Sequence, residues 1–119
     1  MYIGGAGMGQ SIEPKTVVIY SNKKGEEPFA DWLNRLRDSS ARRRILARLR
    51  RLEHGNYGDC KYLQSGVFEL RFFFGSGYRV YFAEDKQRII LLLTAGSKAT
   101  QKKDIVTAIS YWQEYQNHD

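Results

Sequence analysis

The sequence predicts an α+β fold in the order β-α-α-β-β-β-α, a mostly antiparallel sheet with a helical hairpin on one face. Three observations lead there. A β-branched and aromatic run stands alone near the start. Two amphipathic segments with helical spacing follow it. Three apolar-rich runs separated by short turns come next.

The first strand is Thr16 to Tyr20, ended by the turn Lys23-Lys24-Gly25. A helix is expected over about 27 to 38. Pro28 suits its first turn, Glu26 and Glu27 favour the positive end of its dipole, and Phe29, Trp32, Leu33 and Leu36 form one apolar stripe. Ser39 or Ser40 can cap a second helix, which runs to about His54 and stops at Gly55. Ile45, Leu46, Leu49 and Leu52 give it an apolar side, and its arginines mostly take the other. The strands are Val67 to Phe74, Gly77 to Ala83 and Arg88 to Ala95. Gly75-Ser76-Gly77 and Glu84-Asp85-Lys86-Gln87 are their turns. A last helix starts near Thr100 and runs to about Gln116, with Ile105, Ala108, Ile109 and Trp112 as its stripe. Residues 1–13 are glycine-rich and aperiodic, so they read as a flexible tail before a domain spanning 14–119. Their Gly5-Ala6-Gly7-Met8-Gly9 lacks the strand before it and the Lys-Ser/Thr after it that a phosphate loop needs.

Composition removes several functional classes. Cys60 is the only cysteine, so the chain cannot form an internal disulfide or a multi-cysteine metal site. With only His54 and His118, no metal ligand set and no cofactor is expected. The longest apolar run, Ile89 to Leu93, is far too short to cross a bilayer, and no secretory signal opens the chain. A soluble, cytoplasmic protein is the expectation.

The charge is +6, but the excess is local. Eight arginines and one acid, Asp38, lie between Arg35 and Arg51. Such a block suits nucleic acid, an anionic surface or an acidic protein partner, and would otherwise be a solvated helix face. Across the Gly75-Ser76-Gly77 hairpin, pairing Phe74 with Tyr78 puts Leu70, Phe72, Val80 and Phe82 on a core face. Arg71 then lies across from Tyr81 and Arg79 across from Phe73 on the other face, with Glu69 nearby. Buried arginines need partners, so this second face is expected to stay open. Lys98 follows the next strand, and Lys102 lies further on. Two arginines, lysines, a tyrosine and a phenylalanine on an open sheet suggest single-stranded RNA binding. The arginines would hold phosphates, and Tyr81 and Phe73 would stack bases.

The blocks Glu69-Leu-Arg71, Gly77-Tyr-Arg-Val-Tyr-Phe82, Ile90-Leu-Leu-Leu93 and Gly96-Ser-Lys98-Ala-Thr-Gln101-Lys-Lys-Asp104-Ile105 resemble the RelE/ParE toxin superfamily, nearest its HigB-like addiction module killer group. The resemblance covers about residues 15 to 115. It implies a RelE-like fold and the toxin of a bacterial toxin–antitoxin pair, whose antitoxin would be a HigA-like helix-turn-helix protein. It also implies metal-independent cleavage of mRNA on the ribosome, in which the substrate's 2′-hydroxyl attacks the adjacent phosphate. On this resemblance Arg71 and Arg79 stabilise the phosphate. Lys98 serves as a cation or as acid or base, Tyr81 stacks or transfers a proton, and Glu69 positions Arg71 or acts as base. Some relatives carry a late His or Tyr as acid or base; here Tyr111, Tyr115 and His118 are the His and Tyr residues that follow Lys98, and His54 reads as a surface residue at a helix end. Arg43, Arg44, Arg48 and Arg51, with Lys102, are expected to contact RNA or the ribosome. A ParE-like inhibitor of DNA gyrase and a non-catalytic nucleic-acid-binding module are the alternatives.

Overall fold

Alternation between apolar and polar residues sorts the strands into one twisted sheet whose two faces are buried by different helices. The computed structural model describes residues 14–86 and 88–117. The expected tail at 1–13, its Gly5–Gly9 segment and His118 lie outside them. The elements are β1 (Thr16–Ile19), α1 (Pro28–Arg35), α2 (Ser39–Glu53), β2 (Cys60–Gln64), β3 (Val67–Arg71), β4 (Tyr78–Asp85), β5 (Ile89–Ser97), a 3₁₀ turn (Lys98–Thr100) and α3 (Gln101–Gln116). The sheet order is β1-β5-β4-β3-β2. β1 runs parallel to β5, and the other pairs are antiparallel. The fold is α+β, as the sequence predicts.

α1 and α2 cover one face. Phe29, Ile45, Leu49 and Leu52 pack with Leu70, Phe72, Val80, Phe82, Ile90, Leu92 and Ala95. A bulge in the β4–β5 ladder between Tyr81 and Phe82 makes this set possible. Val80 pairs with Ala95 but Phe82 with Leu92, so one extra residue, Leu93, shifts the alternation and keeps both pairs on the same side. Asp38, not Ser39 or Ser40, caps α2; its carboxylate accepts from the amides of Ser40 and Ala41 at 2.9 and 3.2 Å. Leu46, expected inside, is exposed.

α3 covers the opposite face. Ala108 and Trp112 pack on Val67, Tyr81, Ala83, Leu91 and Leu93. This corrects the expectation of an open polar face. The charged residues there are paired with one another, and the apolar residues beside them supply a bed for the helix.

β2 was not expected. Its residues are mostly exposed, so it lacks the alternation that marks a half-buried strand. It is an edge strand joined to β3 by Ser65-Gly66, with φ of 54° and 86°. Two consecutive positive φ values suit the two-residue hairpin turn. A β-carbon on Gly66 would lie 2.5 Å from Trp112 Nε1, so glycine also lets this turn touch α3.

The β3–β4 connection is longer than a tight turn. The strands stop at Arg71 and Tyr78, with Phe72 N donating to Tyr78 O at 3.0 Å and Gly77 N to Phe74 O at 3.1 Å. The register is therefore two residues from the expected one. Arg71 pairs with Arg79 and Glu69 with Tyr81. An even shift leaves every residue on its expected face.

Candidate functional site

Arg71 ends β3, and Arg79 stands directly across from it on β4. Opposed like charges need local neutralisation, and each arginine has its own carboxylate. Arg71 Nη2 donates to Asp59 Oδ1 at 3.0 Å. Its guanidinium carbon lies 5.7 Å from the ring centre of Phe73, which is 77% exposed. Arg79 is 7% exposed, and its Nε lies 3.8 Å from Glu69 Oε2. Arg79 Nη1 donates to the carbonyls of Gly77 and Tyr78, each at 3.3 Å. Nε of both arginines lacks a hydrogen-bond partner, so each keeps unused donor capacity.

Glu69 is 1% exposed and accepts from Gln101 Nε2 at 2.7 Å. It therefore holds Arg79, not Arg71, and the first turn of α3 holds it in turn. Lys98 is exposed at the start of the 3₁₀ turn. A β-carbon on Gly77 would sit 3.4 Å from Lys98 Cβ and 3.7 Å from Arg79 Nη1, so the base of the Lys98 side chain and the Arg79 guanidinium flank the same glycine. Gly96, paired with Arg79, has no room for a side chain: a β-carbon would fall 1.9 Å from Asp104 Oδ2. Tyr81 is the clearest correction. It is fully buried beneath α3, so no base can stack on it. Burial first, then the negative field of Glu69 and Asp104, pushes its phenol well above its usual pKa.

The arginine helix divides into two kinds of residue. Arg43, Arg44 and Arg51 are exposed, and Arg44 rests 4.6 Å from the ring centre of Phe74. Lys102 is exposed on α3. Arg48 is half-buried and turned inward. It donates to Arg71 O at 3.1 Å and to Tyr57 O and Asp59 O at 3.3 Å each, with its guanidinium carbon 4.8 Å from the centre of the Phe72 ring. It is thus a clamp beneath Arg71 and not a free contact for RNA. Burial draws its pKa below the usual value, an effect that Asp59 partly opposes.

Of the late tyrosines, Tyr115 donates to Asp85 Oδ2 at 2.8 Å and Tyr111 stacks on Tyr20. His54 caps α2 and is exposed. Asp59 and Arg48 were missed as supports of Arg71, because neither belongs to a strand or motif that points at it. Among the described residues no three His, Cys, Asp or Glu side chains gather where they could hold a metal ion. No helix among them is long and apolar enough to cross a membrane.

A family model described as "Phage derived protein Gp49-like (DUF891)" matches residues 31–110. The chain belongs to the Gp49-like family. This phage-derived family is associated with toxin–antitoxin modules. The matched stretch runs from α1 into α3 and contains Arg48, Asp59, Glu69, Arg71, Arg79, Lys98 and Gln101. A Haemophilus influenzae protein, described only as uncharacterized, is 44% identical over 86 residues, which is 72% of this chain and 87% of that protein.

Proposed function

We propose that this Gp49-like protein is the toxin of a type II toxin–antitoxin pair and blocks translation by cutting mRNA on the ribosome without a metal ion. The observation that carries the reading is Arg71, anchored through Asp59, spread beside an exposed phenylalanine and paired across the strands with Arg79. A cation with an exposed aromatic ring suits a nucleotide, whose phosphate and base need those two partners. The likeness of the Gly77–Phe82 and Gly96–Ile105 blocks to RelE/ParE toxins, and within them to the HigB-like branch, supports the same reading.

In this reaction the 2′-oxygen forms a bond to phosphorus while the bond from phosphorus to the 5′-oxygen breaks. The products are a 2′,3′-cyclic phosphate and a free 5′-hydroxyl. One proton leaves the 2′-hydroxyl and another reaches the 5′-oxygen. Arg71 gives up part of its contact with Asp59 to hold the phosphate as its charge grows. Arg79, fixed by Glu69 and Gln101, supports it from the floor of the site. Lys98 is exposed enough to reach substrate and is the residue to test for proton transfer. Glu69 and Tyr81 are too buried for that part. The partner is a helix-turn-helix antitoxin that neutralises the toxin.

The test follows protein synthesis and DNA supercoiling separately after adding the purified protein. Translation should stop, with cut mRNA ending in a cyclic phosphate, and Arg71→Ala should lower the cleavage rate about 10²- to 10³-fold. Loss of supercoiling with intact mRNA would replace this reading with gyrase inhibition.

A further inference from the structure

Between α1 and the adjoining ends of β4 and β5 lies a cleft of about 740 Å³. That is within the range of roughly 300–1,000 Å³ usual for small-ligand sites. Trp32 and Tyr78 supply its aromatic wall, their ring centres 5.7 Å apart and their planes at 75°. Asp31 and Asp104 supply carboxylates from α1 and α3, Asp104 already accepting from Thr100 Oγ1 at 2.5 Å, and Glu26 and Arg35 also line the cleft. Thr94 also lines the cleft. It is 8% exposed, so the strand buries most of it and leaves only its edge to the cleft.

The cleft borders the cationic centre through one cross-strand pair. Tyr78 and Ser97 face each other at its edge, Arg79 follows the first and Lys98 the second. A phosphate held by the cations would leave the attached base at the mouth of the cleft. We propose that the cleft is a base-binding subsite that takes a guanine of single-stranded RNA beside the phosphate. The proposal rests on the ribonuclease reading. Guanine is favoured because its Watson–Crick edge carries two adjacent donors, N1–H and the N2 amine, and one carboxylate can accept both. Adenine and cytosine offer one donor beside an acceptor, and uracil one donor between two acceptors. The aromatic wall gives the base a stacking surface. A guanidinium from a partner protein would also suit carboxylates and rings, but the neighbouring Arg79 and Lys98 would repel it while attracting a phosphate.

The experiment titrates the intact protein with GMP, AMP, CMP and UMP, following tryptophan fluorescence, and maps cut sites on ribosome-bound mRNA. GMP should bind at least tenfold more tightly than the others, and cuts should cluster beside G. Asp31→Asn, on the exposed side of α1, should remove both preferences, with Asp104→Asn as a second arm. Equal binding of all four nucleotides overturns the proposal. So does preferential binding of arginine amide, which would assign the cleft to a cationic side chain of a partner. Cutting of mRNA with no G preference sinks the subsite and leaves the ribonuclease standing. Selective GMP binding without any cutting keeps the subsite and removes the reaction.

Discussion

Replacing Arg48, which turns inward, should damage the protein far more than replacing any of the α2 arginines that face solvent. The structure sets the scale. Arg48 makes three charge-assisted bonds to the carbonyls of Arg71, Tyr57 and Asp59, all at the long end of the range. Such bonds contribute about 1.5–3 kcal/mol each at good geometry, and an orphaned carbonyl costs about 1–3 kcal/mol. The loop around Asp59 is half-exposed, so water will re-satisfy part of what is lost. Arg48→Ala should therefore cost about 3 kcal/mol in total, a large share of the roughly 5–15 kcal/mol that holds a domain together. At about 4–8 °C per kcal/mol, thermal unfolding should move down by roughly 12–24 °C. Arg48→Lys should recover only part, because one ammonium cannot bridge three carbonyls as a planar fork does. Arg43→Gln and Arg51→Gln should stay within about 0.5 kcal/mol of the parent. Melting followed by circular dichroism compares all four variants. If Arg48→Lys melts with the parent while Arg43→Gln falls, the clamp has been assigned to the wrong arginine.

Three further outcomes follow from the same geometry. Arg79→Ala should destabilise the fold by about 3–5 kcal/mol in urea unfolding, because it strands the buried Glu69 carboxylate, whereas Arg71→Ala should cost no more than about 1 kcal/mol. Replacing Arg43, Arg44 and Arg51 by Gln should weaken ribosome co-sedimentation and flatten its log–log salt slope by about two to three units, while the single-turnover cleavage rate changes little; an unchanged slope with a collapsed rate would reverse the assignment of docking and chemistry. Stability should fall as pH rises above about 9, since burial pushes the Cys60 thiol from 9.0 up to about 11 and the Tyr20 phenol from 10.0 up to about 12. The unfolded chain releases these protons first, so their contribution is complete below the unfolded values and gone above the folded ones. Cys60→Ala should flatten the decline between pH 9 and 11, and a slope unchanged from the parent would exclude the thiol as its source.

The elements with a strong period were legible in the sequence. Phe29, Trp32, Leu33 and Leu36 marked α1, and the alternation from Val67 to Phe82 marked a hairpin with the right residues on each face. What escaped depends on partners distant along the chain. Glu69 and Arg79 look like an exposed polar pair until Gln101, 32 residues from Glu69, brings α3 over them. Arg48 looks like one solvated arginine among eight until the carbonyl of Arg71, 23 residues away, turns it inward. Residue type limits whether a charge can be buried but does not reveal the partner that makes burial tolerable. β2 escaped for the opposite reason, since an exposed edge strand has no face to write into its sequence.

The pairing of charges separates two tasks that composition runs together. The sheet arginines are each matched by a carboxylate, Arg71 by Asp59 and Arg79 by Glu69, so the site adds little net positive field beyond Lys98. Arg43, Arg50 and Arg51 on α2 are exposed and make no ion pair with any described residue. If RNA is the ligand, as proposed, its long-range attraction would come mainly from α2, because unpaired charge is what reaches past the first solvent layers. Pre-pairing at the sheet has a different consequence. A phosphate that enters must compete with Asp59 for Arg71, which weakens ground-state binding. In the proposed reaction a growing transition-state charge would compete better than a resting phosphate, so the pairing would discriminate in favour of reaction. Under the proposed function, partition of this kind would let the protein bind the ribosome through one surface while the other stays selective for the strand it cuts.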